Sequence, residues 1–406
     1  MTGKTKLMAG VAAIATLAAF APLPARAQGT PSNAELQARL DALEAELQQS
    51  EMRQASMAEK VDAAPAATAA MAQGWWNNTS ISGRMYFDFT NIDHTINSVD
   101  QADEGFNFDI KRFYVGIDHK FNDVFAANIT TDLTYDATTG ASQIFIKKAY
   151  LQAKVAPWLT LRAGSADLPW VPFVEGLYGH RYVENVLIDR TKFGTSADWG
   201  VHAGGTAFDG VLGYAVSVIN GAGYKKAPIG GGANRSESVD VEGRVNLNWE
   251  HFTIAAGGYS GELGKDVKGV TTNHTAQRFD AVAAYTDDAI RAGVEYFYAN
   301  DWNNVTTVVG DDANGISAFA SYQFTPEWGV FGRYDYVKPN DSTNPALEDN
   351  YYNVGISYSP FKMIDLSLVY KHDQASHGTL STSNGTIGGS VSGNYNEVGL
   401  FGQFQW

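Results

Sequence analysis

Apolar and polar residues alternate with a period of two through most of this chain. Val239, Val241, Val245, Leu247 and Trp249 share one face of a segment whose other face carries Asp240, Glu242, Arg244, Asn246 and Asn248. Ile316, Ala318, Ala320, Tyr322 and Phe324 oppose Ser317, Ser321 and Gln323. Ile364, Leu366, Leu368 and Tyr370 oppose Asp365, Ser367 and Lys371. Such a period belongs to strands with one face in an apolar medium and the other in water. Sixteen strands are predicted, over 79–91, 107–120, 123–135, 143–156, 158–166, 198–208, 211–220, 237–249, 251–260, 275–286, 289–299, 315–324, 327–337, 351–359, 362–372 and 394–406.

Short and long connections alternate between these strands. Tight turns are predicted at Phe121-Asn122-Asp123, Ala156-Pro157-Trp158, Phe208-Asp209-Gly210, Glu250-His251, Asp287-Asp288, Thr325-Pro326-Glu327 and Ser359-Pro360-Phe361. The connections between them are longer, and nearly all are polar and rich in glycine or asparagine. A soluble sandwich has no reason to sort its loops by end, whereas an outer-membrane barrel has short periplasmic turns and long external loops. The predicted fold class is therefore all-β: a 16-stranded antiparallel transmembrane β-barrel over 75–406, with both ends on the periplasmic side. Outward aromatics near strand ends, such as Trp158, Trp249, Trp328 and Tyr370, suit interfacial girdles. The last segment puts Val398, Leu400, Phe404 and Trp406 on one face and Glu397, Phe401, Gln403 and Gln405 on the other. Phe404 and Trp406 are the expected signal for the outer-membrane assembly machinery.

Upstream of the barrel the pattern changes. Lys4 and Lys6 precede an apolar run from Leu7 to Phe20, and Ala25-Arg26-Ala27 offers a small-x-small cleavage site. This predicts a secretory signal peptide over 1–27. Ser32-Asn33-Ala34-Glu35 reads as a capping box, followed by Leu36, Leu40, Leu43 and Leu47 at heptad spacing, with Met57 and Val61 continuing it. A short periplasmic coiled-coil helix is expected over 32–61, then an Ala/Pro linker over 62–74. A short coiled coil needs partners, and with small outward residues such as Ala203, Gly205 and Ala207 it points to a homotrimer.

Composition narrows the class further. The 41 glycines, 20 tyrosines and 9 tryptophans suit tight turns and aromatic belts, and the absence of cysteine leaves backbone pairing and packing to hold the fold. Formal charge is -15, more negative still once a leader carrying Lys4, Lys6 and Arg26 is removed. That balance argues against nucleic acid as a partner.

Sixteen strands leave an aqueous channel rather than a filled core. Its filter is expected in the longest connection, from Asp167 to Ala197. Leu168-Pro169-Trp170-Val171-Pro172-Phe173-Val174 and Val183 to Ile188 are too apolar for a loop in water. The loop is therefore expected to fold inward and form the pore constriction with Arg181, Arg190 and Lys192 beside Glu175, Glu184 and Asp189. Strand parity places Arg84, Arg112, Lys148, Lys154, Arg162, Arg244, Arg278, Arg291 and Arg333 on the lumen wall. Asp88, Asp118, Asp132, Asp240, Glu242, Asp280, Glu295, Asp335 and Asp365 share that face. Unpaired arginines would make an anion path, whereas opposed acids and bases would orient dipolar solutes.

The segments Asn107-Phe108-Asp109-Ile110-Lys111-Arg112-Phe113-Tyr114-Val115-Gly116-Ile117, Ile146-Lys147-Lys148-Ala149-Tyr150-Leu151 and Leu159-Thr160-Leu161-Arg162-Ala163-Gly164 resemble the phosphate-selective porin O/P family. The resemblance implies a trimeric outer-membrane porin in which a third external loop narrows the pore and basic residues draw in phosphate or polyphosphate by passive diffusion. The lumen face here carries as many acids as bases, unlike the arginine- and lysine-dominated lumen that the resemblance implies for the phosphate-selective members. The alternatives are a general diffusion porin or a carbohydrate channel, for which Trp170, Phe173, Tyr178 and Tyr182 offer rings to stack on sugars. Neither HExxH, GxSxG nor GxxxxGK[ST] occurs, and Gly221-Ala222-Gly223-Tyr224-Lys225-Lys226 precedes no predicted helix. Enzyme chemistry is not expected, and no cofactor or metal is called for. The predicted partners are outer-membrane lipid, the assembly machinery, and small anionic or neutral solutes.

Overall fold

The structure is a computed structural model, and it describes residues 75–135, 139–226 and 235–406. The signal peptide, coiled coil and linker expected upstream lie outside the described residues. A short 3-10 turn, Trp75–Asn78, leads into a single closed antiparallel sheet. Its strands are β1 (Thr79–Ile96), β2 (Val99–Asp100), β3 (Gly105–Lys120), β4 (Phe125–Tyr135), β5 (Ser142–Ala156), β6 (Leu159–Asp167), β7 (Ala197–Ala207), β8 (Leu212–Ile219) and β9 (Asp240–Trp249). They continue as β10 (Phe252–Gly261), β11 (Ala276–Thr286), β12 (Ile290–Asn300), β13 (Asp312–Gln323), β14 (Trp328–Lys338), β15 (Glu348–Phe361), β16 (Ile364–Thr382) and β17 (Gly385–Gln405). Apart from the two-residue β2, these are the sixteen strands of the alternating pattern. The ring closes where β1 pairs with β17, from Arg84 opposite Gln405 to Ile96 opposite Gly393.

The outer surface explains the alternation. Val201, Val245, Trp249, Ile254 and Leu368 stand exposed on it, while the polar residues between them turn inward. An apolar band of this kind, over strands each paired with a neighbour on both sides, is the surface a bilayer covers. Tight turns close one end, as in the four residues between Ala207 and Leu212, where Phe208, Asp209 and Gly210 take φ values of 53°, 54° and 91°.

Three departures from simple alternation matter. Residues 373–393, expected as a loop, instead prolong β16 and β17 into a hairpin in which Leu380 pairs with Ile387. A bulge at Ser376/Gly378, with His377 at φ 61°, bends this extension. Two further bulges interrupt β3 and β5. Tyr86 faces Arg112 while Phe87 faces Ile110, leaving Lys111 without an opposite residue. Thr130 faces Lys148 while Thr131 faces Ile146, which leaves Lys147 likewise.

Candidate pore constriction

The long connection after β6 folds into the barrel. It forms α1 (Val171–Tyr178) and α2 (Leu187–Arg190), each without a side-chain N-cap. Tertiary packing holds them. Trp170, Val174, Leu187, Ile188 and Phe193 are almost fully buried against Ala255, Val282, Phe297, Phe319 and Val337 of the wall. Each such side chain contributes roughly 1.5–3 kcal/mol by leaving water. An apolar loop and an apolar stretch of lumen wall thus cover one another.

Polar contacts fix the register of that packing. The Trp170 amide donates to Glu242 at 2.9 Å and its indole N–H to Glu295 at 2.9 Å. Tyr182 and Ser367 hydroxyls meet at 2.6 Å. Three wall arginines donate to loop carbonyls: Arg278 to Phe193, Arg291 to Gly176 and Arg333 to Asn185. Arg190 is sealed from the lumen and bound to Asp335, Asp349 and Asp373 at 2.8, 2.6 and 3.1 Å. Glu184 lies against Lys371 at 3.4 Å and accepts from Ser383. Burial alone would raise the Glu184 carboxyl, but Lys371 and Lys111 outweigh it and hold the group well below the usual carboxylate range. His180 stacks on Phe331, ring centroids 4.0 Å apart, and burial lowers its pKa to about 4.

This anchoring leaves the open channel on the opposite side, along β1 and β3 to β6. A cavity of about 650 Å³ opens toward the tight-turn end, with Arg84, Lys148, Tyr114, Glu175 and Gln405 in its wall. A second, of about 280 Å³, opens toward the long-loop end and is lined by Lys111, Arg112, Lys192, Lys225 and Glu184. Tyr86 and Arg181 line both, so the two cavities meet at these residues.

The bulges decide the charge of this passage. Strict alternation gives the lumen only one member of each basic doublet. The extra residue at each bulge turns both members inward. Lys111 pairs with Asp88 at 3.2 Å and Arg112 with Asp132 at 2.7 Å. Lys148 reaches Asp167 at 3.0 Å. Lys147 has no carboxylate in ion-pair range among the described residues. Its ammonium donates to the Tyr114 hydroxyl at 3.3 Å and lies 4.7 Å from that ring and 5.6 Å from the Tyr224 ring. Lys192, held at φ 65°, and Lys225, over the Phe145 ring at 5.4 Å, are also without an acidic partner there. Lys111, Lys147 and Lys225 were absent from the expected lumen set. The signal for the first two was the Lys-Arg and Lys-Lys doublets themselves, since two adjacent charges do not fit one lumen face of a regular strand.

The structure therefore divides the predicted residues by location. Arg84, Arg112, Lys148, Arg181 and Lys192 line the channel. Arg181 is neutralised by Glu175 at 2.5 Å and Asp189 at 3.6 Å. Arg162 donates to Gln152, and Arg244 stacks over Phe173 at 3.7 Å. Arg190, Arg278 and Arg333 are buried where the loop meets the wall, while Glu184, also buried, borders the second cavity. Trp170 and Tyr178 are buried in the same seam and present no open ring to a solute, while Tyr182, also buried, borders the second cavity.

No family model matches this sequence, and no curated protein does. Solved structures do share the fold. An anion-selective porin from Comamonas acidovorans superposes with a TM-score of 0.60 at 11% identity, covering 81% of this chain and 99% of that one. The outer membrane channel DcaP of Acinetobacter baumannii gives 0.56 at 13% identity, over 81% and 97%. The trimer form of OmpT, an outer membrane protein of Vibrio cholerae, gives 0.54 at 12% identity, over 81% and 99%. The barrel is that of the outer-membrane porins.

Proposed function

We propose that this chain is a bacterial outer-membrane porin, a water-filled channel for passive uptake of small solutes that favours anions such as phosphate or polyphosphate. The observation that carries the reading is the pair of bulges, which adds Lys111 and Lys147 to Arg112 and Lys148 on the open wall facing Arg181 and Lys192. Lys147 matters most, because among the described residues no carboxylate lies in ion-pair range of it and its ammonium rests on the Tyr114 hydroxyl and ring. In a narrow passage between protein walls such a charge is screened far less than one at a rim. The resemblance to the phosphate-selective porin O/P family supports the same solute class, and the trimer form of a structural neighbour supports a homotrimer.

Reversal potentials in planar bilayers under a salt gradient test the proposal. Lys111→Met together with Lys147→Met should lower anion over cation permeability about fivefold, since one unit charge near the ion path is worth on the order of 1 kcal/mol even with water-like screening. Inorganic phosphate should block chloride current in the wild type and do so less in the variant. Unchanged selectivity would refute the anion reading. Block by maltooligosaccharides in place of phosphate would favour a carbohydrate channel, and block by neither a general diffusion porin.

A further inference from the structure

Three carboxylates converge on the single guanidinium of Arg190. Asp335 comes from β14, Asp349 from β15 and Asp373 from β16, and all four side chains are wholly buried. Asp335 is also satisfied by Arg333, at 2.8 and 2.6 Å. Asp349 and Asp373 are not. Each spends one oxygen on Arg190, and the Oδ1 of each is buried with no hydrogen-bond partner among the described residues. Both carboxylates are held side by side on the two terminal nitrogens of the one Arg190 guanidinium, at 2.6 and 3.1 Å.

The tip of the β16–β17 hairpin closes over this cluster. The Ser383 amide donates to the Arg190 carbonyl at 2.8 Å, and Asn384 Nδ2 donates to Asp373 at 3.1 Å. Ser383 Oγ donates to Glu184 at 2.6 Å, so the tip holds α2 from above. The other charged and titratable groups facing the cluster are Arg333 from β14, Tyr351 from β15, Lys371 from β16, Glu397 from β17 and Glu184 from the loop. Lys371 is engaged by Glu184 and Glu397, so it offers no spare cation. Two arginines therefore face three carboxylates.

We propose that Asp349 and Asp373 bind one shared proton, and that this proton holds the inward loop and hairpin tip against the wall. A proton on one orphan oxygen supplies a donor to the other, so both gain a partner at once and the buried charge balances. Without it, docking strips water from two carboxylate oxygens and returns no hydrogen bond to either. Raising the pH removes the proton, the loop loses its seat, and the freed segment enters the open passage beside Arg181. The channel is then gated by alkaline pH.

This device rests on the chain being a channel, so two measurements are kept apart. An open-channel current from wild-type protein tests the porin reading; the pH dependence of closing tests the latch. Single channels are recorded from pH 5 to 9. Wild type should spend more time closed as pH rises, by up to about tenfold per pH unit for one linked proton. Asp349→Asn offers an amide donor to Asp373 in place of the proton, and should stay open with that dependence abolished. Heat-modifiable migration confirms that the variant is assembled, and Asp373→Asn serves if it is not. A pH-independent wild type, a variant that keeps the wild-type slope, or one that is closed at every pH would each overturn the proposal.

Discussion

Lys147 shows how much one position can do in a barrel wall. Its strand would present it to lipid under regular pairing, and a charge there costs about 2–4 kcal/mol near the bilayer midplane. The bulge turns it into the lumen, where the Tyr114 hydroxyl and ring take it up. Gly83 is the counterpart at the seam. It exchanges both backbone hydrogen bonds with Trp406 at 3.1 Å, and a Cβ on it would meet the indole ring at 1.9 Å. Gly83→Val should therefore displace that ring and lower the heat-modifiable, folded fraction on refolding into detergent, while Gly116→Ala, whose nearest neighbour is a movable Ser82 hydroxyl, should cost less. Equal yields for the two variants would refute the seam argument. Strand faces at this scale were legible wherever pairing was regular, as along Val239 to Trp249. They failed at Lys111 and Lys147, because a bulge shifts parity without changing local propensity.

Among the elements, the inward loop was legible by its composition and its partners were not. Apolar runs at Leu168–Val174 and Val183–Ile188 foretold that it leaves water. Nothing in the sequence said that Arg278, Arg291 and Arg333 would grip its carbonyls, since parity places a side chain on a face but not against a partner. The same limit applied to Arg190, whose three aspartates lie far along the chain. The hairpin over 373–393 was missed because glycine and serine mask its alternation. The anchors predict a second pH effect, opposite in sign to the latch. Glu184 has its pKa depressed on docking, so its contribution is full above the ordinary glutamate value near 4.3 and is lost as pH falls through the depressed value. Acid below about pH 4 should loosen the loop and raise channel noise, and Glu184→Gln should show that noise at neutral pH. Breaking a buried pair of this kind costs about 3–5 kcal/mol. A quiet Glu184→Gln channel would show that Lys371 is held well enough by Glu397 alone.

For the whole molecule, closure and assembly meet at the same seam. The pairing of β1 with β17 joins the two ends of the barrel and spans the largest sequence separation in the sheet, so its loop-closure cost is the highest. Trp406 contributes its backbone bonds to Gly83 and a ring stacked on Phe404 at 5.4 Å and near Phe113 at 6.2 Å. We propose that Phe404 and Trp406 are also read by the assembly machinery before closure. The two roles separate experimentally. Purified protein refolding in micelles depends on the seam alone, and loss of a half-exposed indole should cost it only about 1–2 kcal/mol. Assembly in cells depends on both roles. Deleting Trp406 should therefore reduce the outer-membrane trimer on unheated native gels much more than it reduces refolding in micelles, with export to the periplasm unchanged. Trp406→Phe, which keeps an aromatic ring for recognition, should restore most of the cellular yield. Equal losses in micelles and in cells would assign Trp406 to barrel closure alone, and a monomer with full channel activity on the same gels would refute the trimer.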